Sequence, residues 1–95
     1  MHLISASPLR DFWITHPNAE SALRTWIKAV RSASWGNFAD VGQTFNSADQ
    51  YGKFTIFNIG GNKYRLIAVI HFNRQKVYVR HIMTHQEYDH GKWQG

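Results

Sequence analysis

Cysteine is missing from all 95 residues, which excludes disulfides, thiolate nucleophiles and thiolate zinc sites and makes a reducing compartment, the cytoplasm, the simplest home. Acidic residues are scarce: six Asp and Glu stand against eleven Lys and Arg, a formal charge of +5. That imbalance attracts polyanions, nucleic acid foremost, or serves only to keep the surface hydrated. No apolar run is long enough for a membrane span. The start, His2-Leu3-Ile4-Ser5-Ala6, lacks both the charged leader and the apolar length of a signal peptide. Neither a phosphate-binding glycine loop nor a serine nucleophile motif occurs, because Gly60-Gly61 lies between two strand-like runs and not at a strand-to-helix junction.

What is present favours folding. Four Trp, four Tyr and six Phe within a 43% hydrophobic composition supply enough apolar surface to offset chain entropy, and the length predicts one domain over residues 1–95. His2–Ala6 reads as a short strand, and Ser7-Pro8 as a helix start with Ser as cap and Pro in the first turn. In that helix Leu9, Phe12 and Trp13 share a face, and His16-Pro17 ends it. A second helix after Asn18 carries its apolar stripe on Ala22, Leu23, Trp26, Ile27 and Val30. Arg24, Lys28 and Arg31 fall opposite, as a solvated surface or as a contact for RNA or a partner. Residues 32–50 read as connection with one short helix from Phe38 to Phe45.

From Lys53 the period changes to two. Phe54–Ile59, the Gly60-Gly61 turn and Asn62–Phe72 predict a hairpin, and Asn73-Arg74-Gln75-Lys76 turns the chain into a further strand, Val77–Met83. Pairing Asn73 with Lys76 would set Arg65 opposite Thr84 and His71 opposite Tyr78, and a two-residue glycine turn would set Asn58 opposite Lys63. One sheet face is then nearly all apolar and receives the helices, with His81 among its residues as a core histidine. The other, an open basic face, carries Lys63, Arg65, His71, Tyr78 and Arg80.

The densest cluster of reactive side chains follows this strand, in Thr84-His85-Gln86-Glu87-Tyr88-Asp89-His90-Gly91-Lys92-Trp93. The register brings His85 beside Arg65 and Lys63. RNA carries its own nucleophile, the 2′-hydroxyl, so cutting it requires a proton acceptor, a proton donor and cations for the phosphorane charge. An imidazole, titrating at about pH 6.5 in free form, suits either proton role. Arg65 offers a phosphate fork and Lys63 a point charge. Tyr88 offers a ring for an unpaired base or a hydroxyl for a proton, and Asp89 orients an imidazole or accepts a base edge. The plainer readings stay open: His85 as a hydrogen-bonded surface residue, His71 and Tyr78 as a cross-strand pair, and Tyr88 with Trp93 as packing for the tail. The series His81, His85, His90 with Asp89 has ligand-like spacing only on a helix, whereas residues 77–83 read as strand, so no metal is expected.

Two blocks, Phe57-Asn58-Ile59-Gly60-Gly61-Asn62-Lys63-Tyr64-Arg65-Leu66 and Thr84-His85-Gln86-Glu87-Tyr88-Asp89, together with Val77-Tyr78-Val79-Arg80 between them, are similar to the hallmark of the HigB family within the RelE/ParE toxin superfamily. Leu9-Arg10-Asp11-Phe12-Trp13, His16-Pro17 and the stretch from Trp26 to Trp35 resemble that family's helical hairpin, so the likeness spans nearly the whole chain. It implies an α+β, RelE-like fold with two N-terminal helices on an antiparallel sheet of three to four strands. It also implies cleavage of mRNA without metal or other cofactor, often on the translating ribosome, and a HigA-type helix-turn-helix antitoxin as partner. The catalytic set that this resemblance and the register select is His85, Arg65, Tyr88 and Lys63. RNA contacts are expected from Arg80, Asn58, Asp89, Lys92 and His71. RelE-like enzymes often carry lysines on the strand before the arginine; here Ile56 and Asn58 occupy it, which leaves the acid and base open. A non-catalytic RNA-binding or transcription-partner module using the same basic face is the rival from another class.

Overall fold

The computed structural model describes residues 1–91 and Trp93. The strand β1 (His2–Ile4) leads into helix α1 (Ser7–Thr15), a 3-10 turn at Pro17–Ala19 and helix α2 (Glu20–Ser32). Helix α3 (Phe38–Thr44) and strands β2 (Asp49–Tyr51), β3 (Phe54–Ile59), β4 (Tyr64–His71) and β5 (Lys76–Thr84) follow, and helix α4 (His85–Asp89) comes last. The expected α+β architecture is present. Its sheet, however, has five strands in the order β1-β5-β4-β3-β2, not three or four.

The strand beyond the four that the sequence pattern marks is β2, and the place of β1 in the sheet is a further difference. β1 runs parallel to β5, pairing Leu3 with Val77, a long-range contact that no local pattern announces. β2 forms the far edge against β3, in a segment whose Asn, Ser and Asp content reads as loop. Ser7 also behaves differently from a cap: it is the first residue of α1, Ala6 takes the cap position, and no side-chain cap bond forms.

The α2 stripe is buried as its spacing requires. Leu23, Trp26 and Val30 lie inside, and Trp26 meets Phe57 of β3 edge-on with ring centroids 5.3 Å apart. Leu66, Ala68, Val77 and Val79 complete this side of the core. The Trp26 indole N–H has no hydrogen-bond partner, so its burial rests on packing and area. We therefore expect Trp26→Ala to cost about 3–5 kcal/mol in a denaturant titration. Trp26→Phe is expected to cost clearly less, because it keeps a ring and removes an unsatisfied donor.

Both hairpins use longer loops than two residues. Ile59 pairs with Tyr64, so Gly60, Gly61, Asn62 and Lys63 form the turn, with both glycines at positive φ. His71 pairs with Lys76, and the residues between them make a 3-10 turn closed by left-handed Gln75. The Gln75 amide holds that turn by donating to the carbonyls of Trp35 and Phe72.

A bulge in β5 changes which residues share a face. Ala68 pairs with Val79 but Ile67 pairs with His81, so Arg80 is the extra residue and the alternation reverses beyond it. The longer turn sets Val69, not His71, opposite Tyr78, and the turn and bulge together set Arg65 opposite Met83, not Thr84. His81 is exposed instead of buried in the core. The side chains that share a face with Arg65 beyond the bulge are Met83 and His81, while Ile82 joins the helix-covered side.

Candidate active site

The face turned away from the helices is not uniformly open. Ile56, Ile67, Met83 and Trp93 form a second apolar cluster there. Trp93 is its roof, edge-on to Tyr51 and Phe54 at 5.6 Å and stacked on Tyr88 at 5.4 Å with planes 11° apart. The packing reading of Tyr88 and Trp93 is the observed one. The polar groups are thereby divided between the two ends of the face.

At one end, Asn58 of β3 lies opposite Arg65 of β4, a pairing set by the four-residue turn in place of the expected Asn58 with Lys63. Arg65 is 8% exposed. Its guanidinium donates to the Asn62 side-chain oxygen at 2.8 Å and to the Tyr64 and Asn62 carbonyls at 3.2 and 3.4 Å. It also lies 5.6 Å from the Tyr88 ring centroid. The turn thus holds the arginine at its base, and part of the five-donor fork is already committed. Asn62, which the hairpin pattern put at the start of the second strand, belongs to the turn and accepts from Arg65; its place three residues before an arginine was the available signal.

Helix α4 is tied to the same turn. The His85 backbone N–H donates to the Lys63 carbonyl at 3.0 Å, bringing the imidazole-bearing segment against the glycine hairpin. Thr84 caps α4 with a reciprocal box: Glu87 N–H donates to the Thr84 hydroxyl, and the Thr84 N–H and hydroxyl donate to the Glu87 carboxylate. Lys63 itself is exposed. The His85 side chain is 43% exposed, with Nδ1 3.4 Å from an Asp89 carboxylate oxygen. That distance allows an ion pair when the ring is protonated, but hydrogen-bond geometry is not met, and Nδ1 is buried. One turn of helix also sets His85 and Tyr88 on the same side of α4. Arg65 thus lies beside Asn58 and Tyr88, and His85 beside Asp89, with the Lys63 carbonyl tying α4 to the turn that holds Arg65.

His71 and Arg80 sit elsewhere. With Val69 and Tyr78 they line a shallow recess of about 210 Å³ at the other end of the face. The rings of His71 and Tyr78 meet edge-on at 5.2 Å, on a diagonal and not directly opposite. His71 lies six positions along the strand from Arg65, roughly 20 Å at the usual rise. Lys92 lies outside the described residues. Among those residues no three His, Asp or Glu side chains gather as a metal-ligand set, and no helix is long and apolar enough to cross a membrane.

The carboxyl of Glu87 is held below its ordinary value of 4.5, first by the Thr84 backbone N–H, then by the Thr84 hydroxyl, with His16 and His90 adding attraction and burial opposing. A depressed folded-state value contributes stability that is fully present above the unfolded value and is lost as pH falls through the folded one. Amide protection over residues 85–89 is therefore expected to hold down to about pH 4.5 and decay below it. Thr84→Ala is expected to weaken the helix already at neutral pH, by about 1 kcal/mol. Hydrogen exchange of the α4 amides across pH 3–7 measures both.

Residues 19–91 match the HigB toxin family, described as the RelE-like toxic component of a toxin-antitoxin system. The chain is 33% identical over 92 residues to the mRNA interferase toxin HigB of Escherichia coli (strain K12), covering 94% of this chain and 88% of that one. It is equally similar to the mRNA interferase HigB of Shigella flexneri. Against the mRNA interferase HigB of Escherichia coli O6:H1 the identity is 29% over 92 residues, covering 94% and 89%. With the glycine hairpin, its arginine and the capped histidine helix inside the matched region, the chain belongs to the HigB family of RelE-like toxins.

Proposed function

We propose that this chain is an mRNA interferase toxin, a metal-independent endoribonuclease that cuts mRNA on the translating ribosome in the cytoplasm and arrests growth. The observation that carries the reading is the junction of two elements. A buried arginine is locked onto the glycine turn by Asn62, and the histidine helix hydrogen-bonds to the same turn. Membership in a toxin family whose relatives are named mRNA interferases supports the substrate class. The whole chain acts as one domain, and a helix-turn-helix antitoxin of the HigA type is its cognate inhibitor.

In this mechanism the 2′-hydroxyl gives up its proton as its oxygen attacks the adjacent phosphorus, the bond from phosphorus to the 5′-oxygen breaks, and that oxygen takes up a proton. The products are a 2′,3′-cyclic phosphate and a 5′-hydroxyl end. Arg65 and Lys63 stabilise the charge that grows on the phosphoryl oxygens. His85 transfers a proton through Nε2, since its Nδ1 is turned toward Asp89 and buried. Tyr88 supports the guanidinium from its ring. Asn58 and Asp89 border the reacting nucleotides, Lys92 adds charge to the tail, and His71 with Arg80 contact RNA further along the face.

Purified protein, stripped of divalent metal with EDTA and exchanged into chelator-free buffer, is incubated with mRNA and programmed ribosomes to test the proposal. Fragments carrying 5′-hydroxyl and cyclic-phosphate ends are expected. RNA that is bound but intact would assign the chain to a non-catalytic binding role, and 5′-phosphate ends would contradict the 2′-hydroxyl route.

A further inference from the structure

Among the described residues Ile14 and Tyr51 are the large apolar side chains left in solvent, and Tyr51, the aromatic one, is 52% exposed. It ends β2 and pairs with Phe54 across the turn Gly52-Lys53, where Gly52 takes a positive φ. Phe54, Ile56 and Asn58 alternate onto the open face of β3, so Tyr51 shares the face that holds Arg65. Phe54 lies four positions along the strand from Asn58, roughly 13 Å at the usual rise, and Asn58 is opposite Arg65. Trp93 bridges this interval. It meets the Tyr51 ring edge-on at 5.6 Å and stacks on Tyr88, whose ring centroid is 5.6 Å from the Arg65 guanidinium. Lys53, exposed at the turn, holds its ammonium 5.4 Å from the Phe54 ring centroid.

We infer that Tyr51 is a stacking platform for one unpaired base of the RNA strand, a few nucleotides from the bond that is cut. The inference rests on the reading of the Arg65 end as the cleavage site. A ring braced by Trp93 offers a base a flat partner that loses little freedom on binding. Aromatic rings interleaved with cations hold single strands in this way whatever the base, since every base has a π-face. Charge selects the base over the backbone at this point. Asp49 pairs with Ile56 and therefore shares the face with Tyr51, and its carboxylate repels a phosphate lying over β2. Lys53 attracts one at the turn. The backbone accordingly passes beside Lys53 while the base lies on the ring. A duplex, whose base faces are already stacked, gains nothing from Tyr51, so the platform favours single-stranded RNA.

The probe is a nine-nucleotide 2′-O-methyl RNA, which cannot be cut because its 2′-oxygens carry no proton. It is titrated into 15N-labelled protein made by cell-free synthesis, beside a set in which one abasic residue is moved along the strand. Saturable shifts are expected in the Trp93 indole N–H and in the amides of residues 51–54. At one position the abasic residue is expected to weaken binding about tenfold, the usual effect of losing a stacked base. Tyr51→Leu keeps an apolar side chain against Trp93 and should weaken the intact strand by the same factor, with no further loss at that abasic position. Tyr51→Phe keeps the ring and should bind like the native protein. A merely structural role for Tyr51 would leave the two losses additive. Any of four outcomes would overturn the inference: no saturable shift of these amides at millimolar RNA, native affinity in Tyr51→Leu, a Tyr51→Phe protein as weak as Tyr51→Leu, or additive losses at every abasic position. Cleavage of mRNA on ribosomes is measured separately. Native protein that binds through Tyr51 without cutting would refute the ribonuclease reading and leave the platform standing, whereas native protein that cuts, with KM unchanged in Tyr51→Leu, would do the reverse.

Discussion

Arg65→Gln is expected to lower mRNA cleavage by about two to three orders of magnitude, the usual loss when a donor to a developing oxyanion is removed. Glutamine retains a hydrogen-bonding end but neither the charge nor the fork. The effect on folding should be much smaller. The substitution strands the Tyr64 carbonyl and the Asn62 side chain, which now accept from the guanidinium, at a cost of about 1–3 kcal/mol. Cleavage rates on programmed ribosomes and thermal melts of the same preparation separate the two. Arg65→Lys adds a sharper comparison, because it keeps the charge while losing the planar contact with Asn62 and the Tyr88 ring. A lysine variant close to full activity would show that charge alone suffices, and an unimpaired glutamine variant would remove Arg65 from the reaction.

His85→Ala is expected to cost about 10²–10⁴ in cleavage rate, the range associated with loss of a general acid or base. Its fold should persist. The link between α4 and the glycine turn runs through the residue 85 backbone N–H, and the cap of α4 is made by Thr84 and Glu87, so neither needs the imidazole. Alanine, a good helix former, is tolerated at such a position. Far-ultraviolet circular dichroism and growth arrest on induced expression give the readout. An alanine variant that cuts mRNA at the original rate would rule out proton transfer by His85 and reduce α4 to a wall of the site. Asp89→Asn should have a milder effect, because the carboxylate sits at ion-pair distance but makes no hydrogen bond to the ring.

Local signals in the chain were sufficient for most of the elements. Apolar spacing alone located the α2 stripe of Leu23, Trp26 and Val30, and His16-Pro17 marked the end of α1. The change to a two-residue period marked β3, β4 and β5. Chemistry-bearing residues also stood out by type: Arg65 and Lys63 at the glycine hairpin, and His85, Tyr88 and Asp89 in the polar tail. These features were legible because helix and strand periods, turn residues and reactive side chains are properties of short segments.

Where long-range pairing or a single inserted residue mattered, only the folded chain decided. The bulge at Arg80 reverses side-chain alternation, which moved His81 out of the core and, with the longer turn, put Met83 opposite Arg65; one extra residue leaves no mark on hydropathy yet turns every later side chain over. Trp93 closes the middle of the face that the pattern leaves open, and Tyr88 stacks on it. β1 reaches across the chain to lie parallel to β5. Composition and period fix what each segment prefers, whereas contacts between distant segments, which depend on register and on loop length, determine which groups meet.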